Sequence, residues 1–323
     1  TGRDLLFSAL INFAVQGVIV WSVSYLCSRT DKTFFGLLKD TFGNIFARII
    51  FGLFALFFLL ATINPLFEQK LYVHDIFYDT VPSLMIFLPV FFFLVYASAK
   101  PFLNIGRCAD ICLPLFLLSM LLILVMSLHE VKFDNFLPVF TQPKKIFSSS
   151  LASVFRFIEP AYLLMFMGRF RYKKGDAAKI TISYIGGAVF VLVVLAAFYG
   201  IYGDVAPTRH FAISKISLFF PAIDLVGRID LLALYVLEIT MLFALVLNIQ
   251  LAIECIAQCT GYENRAVLSV AVNAVFFLIL IFCDNKYNAI STLFSKWMWI
   301  VFLIFANLIP LASWFLRKKN EED

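Results

Sequence analysis

The chain has 323 residues, of which 62% are hydrophobic and only 15% charged, and its mean hydropathy is +0.92. That balance excludes an ordinary soluble domain, and repeated apolar runs of roughly 18 residues or more mark a polytopic membrane protein. In such a chain the formal charge of +5 reports topology, not nucleic-acid binding. The pattern predicts nine spans. The first covers residues 5–26, with Asn12 and Gln16 as its only strongly polar interior residues. A short amphipathic piece, 32–42, sets Phe34, Phe35, Leu37 and Leu38 against Lys32, Lys39 and Asp40. The second span, 45–67, is read as ending at Asn64-Pro65, an ordinary helix-end signal. A polar segment, 68–79, leads to the third span, 81–98. Lys100-Pro101 and Arg107 then mark a turn into the fourth, 108–128.

The fifth span, 148–170, breaks the pattern. It is long enough to cross a bilayer, yet Arg156 and Glu159 sit near its middle and Pro160 follows directly. Charges at membrane depth are costly and face a bundle interior or a watery cavity. Proline has no N–H to give one turn back, and its ring crowds that turn. Together they predict a helix broken or kinked halfway across. Secondary transporters hold substrates at such breaks, where freed backbone groups act as ligands. The alternative is that Arg156 and Glu159, three apart on one face, neutralise each other beside a tolerated kink.

A basic loop, 169–174, follows, and then the sixth span, 180–202, where Gly186-Gly187 permits close packing. The next loop contains an interfacial amphipathic segment near 213–219. The seventh span, 229–256, carries Glu238, Asn248, Gln250 and Glu254; the last three are expected to make interhelical hydrogen bonds. Spans eight and nine cover 266–283 and 297–316. One set of alternate loops holds fifteen Lys and Arg and the other ten, which places the first set and the C-terminus in the cytoplasm. With nine spans the N-terminus falls outside, and the chain starts at Thr1 with no signal peptide. The expectation is that a first helix is missing.

The six cysteines lie in or beside apolar spans without neighbouring histidines, as small membrane hydrophobes. No metal-spaced His/Cys cluster, glycine-rich phosphate loop or triad is present, so neither an enzyme nor a cofactor is implied.

The residues resemble the B subunit of bacterial spore germinant receptors, a family related to the amino acid/polyamine/organocation transporters. Thr1-Gly2-Arg3-Asp4 looks like the exit from that family's first helix. Lys32-Thr33-Phe34, Leu38 and Phe42-Gly43 look like its first cytoplasmic loop. Asn135-Phe136-Leu137-Pro138-Val139 resembles the stretch ahead of its sixth helix, and Phe155 to Glu159 with Leu163-Leu164-Met165-Phe166 that helix itself. The family usually has a small residue before the glutamate, where this chain has Ile158, and no proline after it.

The resemblance implies one permease-like domain over 1–323, built as inverted five-helix repeats with helices one and six discontinuous, of which this chain holds two to ten. It further implies a nutrient-sensing subunit that binds a small germinant such as an amino acid in a central cavity. That subunit acts with A- and C-type receptor subunits in the inner membrane of the spore. A secondary transporter of amino acids or related solutes is the alternative, since one scaffold carries either function. The candidate ligand-binding residues are Glu159 as polar anchor or proton carrier, Arg156 and Pro160 at the break, and Phe155 and Phe157 as apolar flanks. Glu238 joins them from the seventh span, and Phe57 and Thr62 from the second.

Overall fold

A computed structural model describes residues 5–77, 82–136, 143–173, 175–208, 211–217, 230–283 and 286–314. Among them the chain is helical throughout and has no strand. Its main elements are α1 (Leu5–Cys27), α2 (Phe34–Phe42), α3 (Asn44–Phe77), α4 (Ser83–Ser98), α5 (Phe102–Ser127), α6 (Pro143–Ser153) and α7 (Glu159–Phe166). They continue as α8 (Asp176–Tyr202), α9 (Ala212–Ser217), α10 (Asp230–Thr260), α11 (Arg265–Phe282), α12 (Tyr287–Leu293) and α13 (Trp299–Phe302). Seven helices among the described residues are long and apolar enough to cross a membrane. The protein is an all-α polytopic membrane protein. The expected third span is α4, whose sixteen residues are short for a crossing, and the expected fifth is divided between α6 and α7.

Three expected boundaries are corrected. The second span does not end at Asn64-Pro65: α3 runs through Pro65 to Phe77 over 34 residues. At about 1.5 Å per residue that is roughly 50 Å, well beyond a hydrocarbon core of about 30 Å. Packing holds the helix together where the proline removes a donor: Leu66, Phe67, Gln69 and Tyr72 beyond it are all buried. The fourth span starts at Phe102, with Arg107 inside the helix, because Pro101 suits the position just before a first turn. The ninth begins at Tyr287; α12 and α13 are joined through a π-helical turn, Phe294–Met298, and a second, Leu303–Leu308, follows.

The helices pair along their lengths: α3 against α10, α1 against α8, α4 against α11, and α10 also against α5. In the expected numbering the first three pairs each join spans five apart. A phenylalanine-rich core lies between α2, α3, α7 and the last helical stretch; Phe57 stacks on Phe305 at 5.4 Å and meets Phe302 edge-on at 5.1 Å. Thr33 caps α2 by accepting from the Gly36 N–H at 3.1 Å, so the short helix lays Phe34, Leu37 and Leu38 into this core. The expected interfacial segment is α9 over 212–217, and its continuation to 219 lies outside the described residues.

Asn135 gives the Asn-Phe-Leu-Pro stretch a structural role. Its side-chain amide donates to the carbonyls of Gly200 (2.7 Å) and Ile201 (3.4 Å), closing the C-terminal turn of α8. A Cβ on Gly200 would come within 2.6 Å of Val131, so the two segments touch only because that residue is glycine. Residues 137–142, 1–4 and 315–323, which carry other parts of the resemblance and the basic tail, lie outside the described residues.

Candidate functional site

The break predicted in the fifth span is present, and it falls just before the charged pair's second member. α6 ends at Ser153, a single 3-10 turn covers Val154–Arg156, and Phe157 is extended at φ −110°, ψ 92°. Ile158 then starts α7, its carbonyl accepting from the N–H groups of Ala161 (3.1 Å) and Tyr162 (3.3 Å). Pro160 therefore stands in the first turn of a helix, where a missing N–H costs nothing, instead of kinking a continuous one. Glu159 in that same turn sits at the end of the helix dipole that favours a negative charge.

Unwinding separates Arg156 from Glu159, so they do not neutralise each other as an i, i+3 pair. Arg156 Nη2 reaches Glu68 Oε1 on α3 at 3.5 Å, and Asn64 Nδ2 donates to the same oxygen at 2.9 Å. Arg156 also lines the cavities on this side of the break, one of about 480 Å³ with Glu68, Leu71, Asp75, Phe211 and Tyr287. A smaller one, about 210 Å³, runs beneath it between Asn64, Ile158 and Phe302.

Glu159 turns inward. Its Oε2 is enclosed and has no partner among the described residues. Two phenols stand within electrostatic reach, Tyr162 on α7 and Tyr184 on α8. Tyr162 is committed, donating to Asn248 Oδ1 at 2.6 Å; the Tyr184 hydroxyl is buried and unpartnered among the described residues. Phe157 packs edge-on against Phe13 at 5.1 Å, and Phe13 in turn tilts against Tyr184 at 6.4 Å. The described part of Phe155 is its backbone, in the 3-10 turn; its side chain lies outside the described residues.

The remaining candidates lie elsewhere. Phe57 is 1% exposed inside the aromatic core, and Thr62 is buried with its hydroxyl donating to the Phe58 carbonyl at 2.8 Å. Glu238 sits on α10 facing α3, beside Gln69 and Tyr72. Asn248, Gln250 and Glu254 do make the interhelical hydrogen bonds expected of them. Gln250 Nε2 donates to the carbonyls of Ala97 (3.0 Å) and Lys100 (2.7 Å). Glu254 accepts from Arg169 at 2.6 Å and Arg265 at 2.5 Å, tying the segment after α7 to α10 and α11.

The role of α1 was only partly visible in the sequence. Asn12 Nδ2 donates to the Ser150 carbonyl (3.0 Å) and Ser153 Oγ (2.9 Å), and Ser150 Oγ returns a bond to Asn12 Oδ1 at 2.6 Å. Gln16 donates to Asn307 Oδ1 at 2.5 Å in the second π-helical turn, and Cys27 Sγ approaches the Leu163 carbonyl at 3.6 Å. α1 thus splints the broken helix, gripping α6 near one end and α7 near the other. The four-residue spacing of Ser8, Asn12 and Gln16, all buried, is the signal for that face. Tyr184 and Asn307 carry no comparable signal.

A bundle of membrane-spanning helices around a discontinuous helix, with a carboxylate and a phenol at the break that have no partner among the described residues, has the form of a permease-like membrane protein. The family model described as spore germination protein matches residues 7–289, most of the chain. The chain belongs to that spore germination family. No curated protein matches it.

Proposed function

We propose that the chain is the nutrient-sensing membrane subunit of a spore germinant receptor, with the ligand held at the break between α6 and α7. The carrying observation is Glu159 Oε2, enclosed beside Tyr184 and unpartnered among the described residues. A buried carboxylate in that state calls for a donor, and the ammonium of an amino acid supplies one. Phe157 and Phe13 form an apolar wall next to it. On this reading the subunit acts with A- and C-type receptor subunits in the spore inner membrane, its C-terminus cytoplasmic, and the paired spans five apart reflect an inverted repeat. Phe57 and Thr62 then support the site from behind, without touching ligand.

The test is germination of spores carrying Glu159→Gln in the full-length gene, scored by release of the spore's small-molecule store on single nutrients. At normal protein level, loss of response to one amino acid supports the reading. An unchanged response sinks it, and normal germination with impaired amino-acid uptake in growing cells replaces it with a transporter.

A further inference from the structure

A second set of orphaned polar atoms lies away from the break, on the seam between α3 and α10. Glu238 Oε2 is buried and has no hydrogen-bond partner among the described residues. Facing it from α3 is Gln69, 1% exposed, whose Oε1 and Nε2 are both buried and likewise unpartnered. The two side chains are neighbours, yet their atoms do not close a hydrogen bond of good geometry. Tyr72, one turn beyond Gln69, brings its hydroxyl to 3.4 Å from the Leu234 carbonyl, one turn before Glu238. Close along the same two helices, Leu66, Val73, Leu237 and Leu245 are all buried.

Oxygen atoms from a carboxylate, an amide and a phenol thus lie along one stretch of the α3–α10 seam, and a charge on an enclosed carboxylate oxygen without a counter-ion is costly. Among the described residues, the charges nearest along α3 are already engaged. Glu68 holds Arg156 and Asn64, Asp75 holds His74 at 3.1 Å, and Lys70, 3% exposed, has partners of its own. We propose that Glu238, Gln69 and Tyr72 form a binding site for a monovalent alkali cation, separate from the ligand position at Glu159. A hard cation suits an all-oxygen donor set, and one carboxylate suits a single charge. Among the described residues no three His, Cys, Asp or Glu side chains gather as a site for a more highly charged metal. The cation would neutralise Glu238 and fasten α3 to α10, the most extensively packed helix pair.

The experiment is thermal unfolding of the purified full-length protein in lipid nanodiscs, in NaCl, KCl or choline chloride at equal ionic strength. A saturable rise of Tm with Na+ or K+, absent with choline, is expected. It should disappear in Glu238→Gln, shrink in Gln69→Leu and persist in Glu159→Gln. Equal Tm in all three salts overturns the proposal, as does a Tm that follows pH but not the alkali cation. If Glu238→Gln does not fold, the wild-type salt series and Gln69→Leu decide: a cation effect undiminished in Gln69→Leu also overturns it.

Discussion

Gly168, in the turn after α7, offers the sharpest test of how the broken helix is anchored. Its φ is +70°, and a Cβ placed there would lie 2.5 Å from both Lys32 C and Thr33 N and 2.6 Å from Lys32 O. Two separate costs follow from Gly168→Ala. A left-handed backbone costs an L-residue about 1–2 kcal/mol. Overpacking against a neighbour adds about 1–3 kcal/mol, at the upper end here because the obstructing atoms are backbone and no rotamer relieves them. Gly175 separates the two terms: its φ is +95° but nothing lies within 4 Å of a Cβ there. Gly175→Ala should therefore show only the first cost and Gly168→Ala both, a total of about 2–5 kcal/mol. Thermal unfolding of the purified protein in nanodiscs reads the difference, expected as several degrees lower Tm for Gly168→Ala. Equal Tm values for the two variants would refute the claim that the turn after α7 is wedged onto the segment leading into α2.

Glu254→Gln should cost about 1–3 kcal/mol, because Arg169 and Arg265 lose a shared carboxylate whose side chain is only 9% exposed while they stay partly solvated. Unfolding in denaturant measures it, and the loss should be smaller for Lys179→Gln, whose pair with Asp176 is on the surface. Asn12→Leu removes three hydrogen bonds to α6 and should cost about 1–3 kcal/mol. Hydrogen exchange should then rise in α6 before α7; uniform protection across both would count against α1 as a splint.

The class of this protein was legible from local chemistry. Apolar runs of membrane length need no partner to be recognised, since a helix is the only open chain that satisfies its own backbone in lipid. The break was legible too: Arg156, Glu159 and Pro160 within five residues conflict with a continuous buried helix. The amphipathic run over 32–42 announced α2. Even the buried face of α1 was written in a four-residue spacing, though not what it touches.

Tertiary packing decided the rest. Pro65 reads as a helix end, and only burial of the residues beyond it carries α3 on to Phe77. Arg156 and Glu159 look like a pair in the sequence, and the unwound turn sends one to Glu68 and the other toward Tyr184. The partners through which α1 holds the broken helix and the last helical stretch are distant along the chain: Asn12 and Ser150 are 138 residues apart, Gln16 and Asn307 are 291. A helical period reports which residues share a face. Which faces meet is set by how whole helices pack, and in this protein that pairing assembles the carboxylates, phenols and amides that no local pattern could join.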